Sequence, residues 1–301
     1  MALATVVSAK GSTPRVPGAR QFLPVKGAPE GTIGGGATEA RILELAQQTL
    51  EDGQPRTFEA DLRGRPGDIR EGICGGIMTV WIVRLTPAQD MSVIQALNTA
   101  LENGKSVTLL TRLVSPGPVS LAGVGGPVTG EVFEEEIEPA PQLLVVGAGH
   151  IGRALARLMD ELDFNICIHD DRQEWLEPGC FPKRCRLEKN LRSCVERLKS
   201  WRGEMYAVLV TRGYGQDVEA MEALAGVHSL KYLGLLGSRP RVSTVLAALG
   251  ERNVVFSEKV LHAPIGIEIG AETPMEIAVS IGAELIRVRR RPREAATRSN
   301  P

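Results

Sequence analysis

Between Leu143 and Gly152 an unbroken apolar stretch runs straight into a glycine pattern, and few folds accommodate that order. Leu143-Leu144-Val145-Val146 is short and lacks alternation, so it reads as a strand covered on both faces. Gly147-Ala148-Gly149-His150-Ile151-Gly152 follows, then helical periodicity over Arg153–Glu161. A second apolar stretch, Ile166–Ile168, leads to Asp170, 18 residues past Gly152. A strand, a G-x-G-x-x-G turn, a helix, a strand and then an acid is the context a dinucleotide-binding turn requires. Gly147, Gly149 and Gly152 permit a tight turn and let backbone N–H groups approach a pyrophosphate, which the helix dipole favours. In that reading Asp170 accepts hydrogen bonds from ribose hydroxyls and repels a 2′-phosphate. His150 either reaches a ligand phosphate or faces solvent at the helix start. A Rossmann fold whose ligand site is vestigial or reused fits the same residues.

The pattern continues with buried-strand signals at Tyr206–Val210 and Tyr232–Leu236, alternating with helical stretches at Asp217–Ala225 and Val242–Leu249. Such alternation implies a parallel sheet with right-handed crossovers. The last helix opens at Thr273-Pro274-Met275-Glu276, with Thr as N-cap, Pro in the first turn and Glu at the third helical position, a capping box. Arg287-Val288-Arg289-Arg290-Arg291 reads as a solvated tail or as a surface for an anionic partner.

The first half reads as a separate α/β unit. Strand signals lie at Leu3–Val7, Gln21–Val25, Thr57–Leu62, Ile77–Leu85 and Ser106–Leu113, with helices at Thr38–Leu50 and Met91–Glu102. Gly34-Gly35-Gly36 before the first helix repeats the physics of the Gly147 turn; Arg15 and Arg20 on the preceding loops either pair with an anion held there or are solvated beside a tight turn. Cys74, within Gly72-Ile73-Cys74-Gly75-Gly76, is either an accessible thiol whose pKa a backbone nest lowers or an inert cysteine in a turn. Glu134-Glu135-Glu136-Ile137-Glu138-Pro139-Ala140-Pro141 combines a charge run with two prolines and reads as a link between domains, the alternative being a solvated loop within one domain. The expected organisation is therefore residues 1–133, a linker over 134–142, and a Rossmann-like domain over 143–301.

Charge and composition remove other classes. The 35 basic and 36 acidic residues nearly cancel, which argues against a broad nucleic-acid platform, and the few aromatics leave little for base stacking. No apolar run reaches the roughly 18 residues of a membrane-spanning helix, and no secretion signal opens the chain. Five cysteines without C-x-x-C spacing fit a reduced, cytoplasmic protein better than a disulfide or zinc scaffold.

Further segments complete a family signature. They are Gly11-Ser12-Thr13-Pro14-Arg15, Pro17-Gly18-Ala19-Arg20, Gly31-Thr32-Ile33-Gly34-Gly35-Gly36 with Glu39, and Cys74-Gly75-Gly76. In the second half they are the Gly147 turn with Asp170, Thr211-Arg212-Gly213-Tyr214, Gly234-Leu235-Leu236-Gly237-Ser238-Arg239, and Pro264-Ile265-Gly266-Ile267 with Ile269–Ala278. Taken in order over nearly the whole chain, they resemble the xanthine dehydrogenase accessory protein family (XdhC/CoxI). The resemblance implies an N-terminal α/β domain peculiar to the family followed by a C-terminal Rossmann-type parallel-sheet domain. It implies a cofactor chaperone rather than a turnover enzyme. Such a chaperone binds molybdopterin, the molybdenum cofactor, assists its sulfuration with a cysteine desulfurase, and inserts it into an apo molybdenum hydroxylase; a homodimer is expected. On this reading Arg15, Arg20 and Gly34–Gly36 hold the pterin phosphate, and Cys74 lies at the metal. Gly147, Gly149, His150, Gly152 and Asp170, with Ser238 and Arg239, hold NAD, another nucleotide or the dinucleotide form of the cofactor. Family members often carry histidines in the Thr211 motif, where Arg212 and Tyr214 stand here. The rival is an NAD-dependent oxidoreductase, for which no acid–base pair is evident near the later strands; a third reading is a nucleotide-sensing interaction module.

Overall fold

The computed structural model describes residues 1–63, 74–113, 119–121 and 130–290. The chain divides into two compact units, one of Met1–Ala100 with Ser106–Ile137, the other of Leu101–Lys105 with the chain from Glu138 onward.

In the first unit the elements are β1 (Ala2–Lys10), β2 (Arg20–Leu23), β3 (Glu30–Gly31), α1 (Gly36–Asp52), β4 (Arg56–Asp61), β5 (Ile77–Arg84), α2 (Pro87–Glu102), β6 (Val107–Arg112), β7 (Val119–Leu121) and β8 (Val132–Ile137). Five strands form an antiparallel sheet in the order β3-β2-β1-β5-β4. Ala2, Ala4 and Val6 alternate inward from β1 and pack with Met78, Val80 and Ile82 of β5 against Ile42 and Ala46 of α1. A second antiparallel sheet has the order β7-β6-β8. Leu3, Leu85, Leu109 and Leu121 form a smaller core beside it.

The expected linker is corrected here. Glu134–Ile137 belongs to β8, paired with β6 in register from Val107↔Ile137 to Arg112↔Val132. Phe133, Glu135 and Ile137 are half-buried while Glu134 and Glu136 face solvent, so the charge run hides a period of two. Only Glu138–Pro141 separates β8 from the next strand.

The second unit comprises β9 (Gln142–Val146), α3 (His150–Asp160), β10 (Asn165–His169), β11 (Arg186–Glu188), α4 (Leu191–Ser200), β12 (Met205–Leu209), α5 (Tyr214–Leu224), β13 (Leu230–Leu235), α6 (Arg239–Glu251), β14 (Leu261–His262) and α7 (Pro274–Arg289). Its six strands are parallel, in the order β11-β10-β9-β12-β13-β14. In chain order that is 3-2-1-4-5-6, the doubly wound arrangement, with its switch point beside β9. Every residue of β12 is buried, as the continuous apolar run requires. The two faces of the sheet carry separate cores. Leu144, Ala207 and Leu233 face one side with α4, α5 and α6, while Val145, Val208 and Tyr232 face the other with α3 and α7. The capping box forms as expected: the Glu276 N–H donates to Thr273 Oγ1 at 3.3 Å, and Glu276 Oε2 accepts from the Thr273 N–H at 3.0 Å. The arginine run is not a tail through Arg289. Arg287 and Arg289 form the last turn of α7, Arg287 paired with Glu284 and Arg289 over the ring of Phe164.

Candidate functional site: a glycine turn and its cavity

The turn that ends β9 is fixed by its neighbours. The Gly147 N–H donates to His169 O of β10 at 2.8 Å, and the Val210 N–H donates to Val146 O at 2.9 Å. Gly147 has φ 118°, and a Cβ there would stand 2.5 Å from Val210 O. A Cβ on Gly152 would collide with Gly147 O, so the first turn of α3 packs directly on the strand end. Gly149 differs from both. It is the N-cap of α3, and a Cβ there would meet nothing within 4 Å. No side chain caps this helix and no acid lies in its first turn. Its leading N–H groups are therefore the unsatisfied donors, with the positive end of the dipole, that an anionic ligand takes.

The turn opens into a cavity of about 850 Å³, with walls from the carboxyl ends of β9, β10 and β12. That is the location at which doubly wound sheets bind ligands. Gly147, Gly149 and Asp170 line it as expected; His150, Ser238 and Arg239 do not. His150 is exposed, its ring edge-on to Trp175 at 6.0 Å. Ser238 and Arg239 are exposed at the start of α6.

Asp170 departs from the expected role. Oδ2 accepts from the Ala148 N–H at 2.9 Å and from Arg172 Nη2 at 3.0 Å. Oδ1 accepts from the Arg172 N–H at 3.1 Å and from Arg172 Nε at 2.9 Å. Two bonds on each oxygen fill the four lone-pair sites of a carboxylate. Burial pushes this carboxyl up, and the Arg172 and Ala148 bonds outweigh it and hold it below its ordinary value. Asp170 thus ties the glycine turn to the end of β10 and has no lone pair left for a ribose hydroxyl.

Several residues of this site went unread in the sequence. Arg172, besides pairing with Asp170, lies 4.6 Å over the ring of Trp175, and Arg153 lies 5.1 Å from the same ring. Lys189 and Arg192, on either side of the start of α4, line the cavity. Below the Thr211 turn, fully buried Asp217 accepts from Arg241 Nη2 at 2.6 Å and from Thr211 Oγ1 at 2.5 Å. Within the Ser238-Arg239-Pro240-Arg241 run it is Arg241 that reaches inward, to Thr211 and Asp217. The only signal for Arg172 was its position two residues after Asp170.

The glycine turn of the first unit has the opposite electrostatics. Gly34, Gly35 and Gly36 take φ 135°, 84° and 67°. Glu39, in the first turn of α1, folds back over them. Its Oε2 accepts from Thr32 Oγ1 at 2.6 Å, the Gly35 N–H at 3.0 Å and the Ile33 N–H at 3.1 Å. Of the N–H groups expected to hold a phosphate, that of Gly35 already holds this carboxylate and that of Gly34 donates to Thr32 Oγ1 at 3.1 Å. Arg20 is also committed: it pairs with Glu135 and donates to Gly18 O at 3.1 Å. Arg15 is exposed. Cys74 is half-buried, with Gly72 and Ile73 outside the described residues. A Cβ on Gly76 would collide with Ser12 O, one on Gly34 would stand 2.6 Å from Pro14, and one on Gly11 would stand 3.0 Å from Gly75 O. The Gly34 and Cys74 turns therefore both pack against the Gly11–Pro14 segment.

Together the strand order, the uncapped helix start and the cavity at the switch point define a protein with a Rossmann-type unit joined to a second α/β unit. A model of the XdhC Rossmann domain matches residues 143–285, and a model of the XdhC and CoxI family matches residues 1–61. The chain belongs to the XdhC and CoxI family. The YqeB protein of Escherichia coli (strain K12) is 31% identical over 291 residues, covering 96% of this chain and 43% of YqeB, so this chain spans under half of that relative. A Bacillus subtilis (strain 168) protein described as a probable xanthine dehydrogenase subunit is 28% identical over 319 residues, covering 96% of this chain and 93% of that protein. A crystal structure described as a xanthine dehydrogenase from Bacillus halodurans shares the fold, with a TM-score of 0.82 at 23% identity over 99% of this chain and 94% of that one.

Proposed function

We propose that this chain is an accessory protein of a xanthine dehydrogenase-type molybdenum hydroxylase. In this role it binds the molybdenum cofactor, assists its sulfuration with a cysteine desulfurase as sulfur source, and assists its insertion into the apo-enzyme. Family membership and the description of the Bacillus subtilis relative support the accessory role. The observation that carries ligand binding is the uncapped α3 start facing a cavity at the sheet's switch point. The Gly149 end fits the diphosphate of a nucleotide. The Gly34 turn does not fit a phosphate, because Glu39 already fills it, and Arg20 is taken by Glu135. What remains of the expected set in the first unit is Arg15 and the thiol of Cys74. Cys74 would offer a soft ligand or a sulfur acceptor to the cofactor. Among the described residues no three His, Cys, Asp or Glu side chains gather as a metal site, so Cys74 would act with the cofactor's own ligands. No helix among the described residues is long and apolar enough to cross a membrane.

Mass spectrometry of ligands released from the full chain, produced in a molybdenum-replete host, tests the reading. A pterin released at near-stoichiometric yield is expected. A nicotinamide dinucleotide without pterin would favour the oxidoreductase instead. Co-purification with a cysteine desulfurase, and a solution mass of twice the chain, are the expected outcomes for its partners.

A further inference from the structure

The cavity's far end, beyond the Gly149 diphosphate position, is where a dinucleotide places its second ribose. In NAD sites an acid at the end of the second strand accepts from the ribose hydroxyls, and it excludes a phosphate by charge. Asp170 occupies that position but cannot do either task. Its four lone-pair sites are filled by Ala148 and Arg172, and its charge is matched by the Arg172 guanidinium. Arg172 uses Nε and Nη2 for this pairing, which leaves Nη1 with donors to spare on the cavity wall. Lys189 and Arg192 stand on the same wall, and neither pairs with a carboxylate among the described residues. The neighbouring Glu188 is turned to the Asn190 N–H, at 3.1 Å. Two acids also line the cavity, Asp171 and Glu219. Asp171 lies 3.8 Å from Arg172 and 3.9 Å from Arg212 and accepts from Gln216 at 3.1 Å, so cations surround it. Glu219 is on α5, across the sheet's switch point from Lys189 and Arg192.

Resting on the reading of this cavity as a nucleotide site, we infer that its ligand carries a phosphate on the ribose. Arg172, Lys189 and Arg192 receive that phosphate, and Asp170 serves only to hold the glycine turn and to orient Arg172. A guanidinium held along its Nε–Nη2 edge and stacked on Trp175 loses little freedom on meeting an anion, so it is a preorganised phosphate receptor.

Calorimetric titration of the full chain with NADP⁺ and NAD⁺ side by side tests this. NADP⁺ is expected to bind about tenfold tighter or better, a typical return for charge-assisted hydrogen bonds to one added phosphate. Lys189→Ala with Arg192→Ala changes only exposed side chains and should bring the two affinities toward parity. Arg172→Gln should reverse the preference, because it frees the Asp170 oxygens for ribose hydroxyls and removes the matching charge. A structural role alone for Arg172 would weaken both ligands equally. Equal affinities in the parent chain, or tighter NAD⁺, would overturn the inference while keeping the nucleotide reading, and would shift the hydroxyl contact to Asp171. Binding of neither ligand would overturn both.

Discussion

The two glycine turns of this chain look alike in sequence and differ in what fills them. Each ends a β element and opens a helix, and each sets glycines where backbone N–H groups converge. In the first unit Glu39 supplies an anion from within the chain, and the turn is complete by itself. In the second unit Asp170 takes, of the turn's donors, the Ala148 N–H, and the uncapped start of α3 stays open to the cavity. Glycine spacing creates the capacity to bind an anion. Whether a ligand uses that capacity depends on a carboxylate a few residues away. On the function proposed above, the first turn is structural and the second receives the ligand.

Substitutions separate the two roles. The largest effect is expected at Gly152, where any Cβ meets the Gly147 carbonyl, which cannot yield without moving β9. Gly152→Ala should destabilise the second unit by about 3 kcal/mol or more, read from chemical denaturation. Gly149→Val, three residues earlier, has open space and an ordinary φ of −67°. It should leave the unfolding transition in place and weaken nucleotide binding by about 100-fold, since the branched side chain covers the N–H groups a phosphate must reach. Unfolding at Gly149→Val, or unchanged affinity, would erase the distinction drawn between these glycines.

In the first unit the expected losses are of stability alone. Glu39→Gln keeps the shape but removes the charge that three donors share, and should cost about 1–2 kcal/mol. The Thr32 hydroxyl, with the Gly35 and Ile33 N–H groups, holds the Glu39 carboxyl below its ordinary value of 4.5 against the opposing effect of burial. Its folded-state pKa is depressed, so its contribution is complete above pH 4.5 and fades as the pH falls from there through the folded value. The parent chain should lose that increment on acidification, and Glu39→Gln should not. A variant with unchanged stability and weakened nucleotide binding would move the ligand to the first unit. The smallest structural effect is expected at Cys74→Ser, about 1 kcal/mol or less. Cofactor retention should nevertheless fall, measured as pterin released per chain; full retention would leave Cys74 a packing residue.

How far the sequence could be read follows the same division. The β9–turn–α3 unit was legible because period, length and glycine spacing all agree there, and the capping box of α7 likewise fixed its boundary. β8 was not, since three consecutive glutamates hide the alternation that turns Glu135 toward Arg20. α4 escaped notice although Leu191, Cys194, Val195 and Leu198 recur at helical spacing behind an Asn190 cap. The identities of Asp170 and Glu39 were plain, but their occupancy was not. Whether a carboxylate is free depends on donors brought to it by folding: Ala148 from 22 residues away for Asp170, and a backbone that doubles back for Glu39.

Amide chemical shifts test the contrast between the turns most directly. In a ¹⁵N-labelled full chain titrated with inorganic pyrophosphate, the signals of Gly149, His150 and Ile151 should move in a saturable way, while those of Ile33 and Gly35 stay fixed because Glu39 holds them. Saturable shifts at Ile33 and Gly35, with Gly149, His150 and Ile151 unmoved, would contradict the account and return the anion site to the first unit.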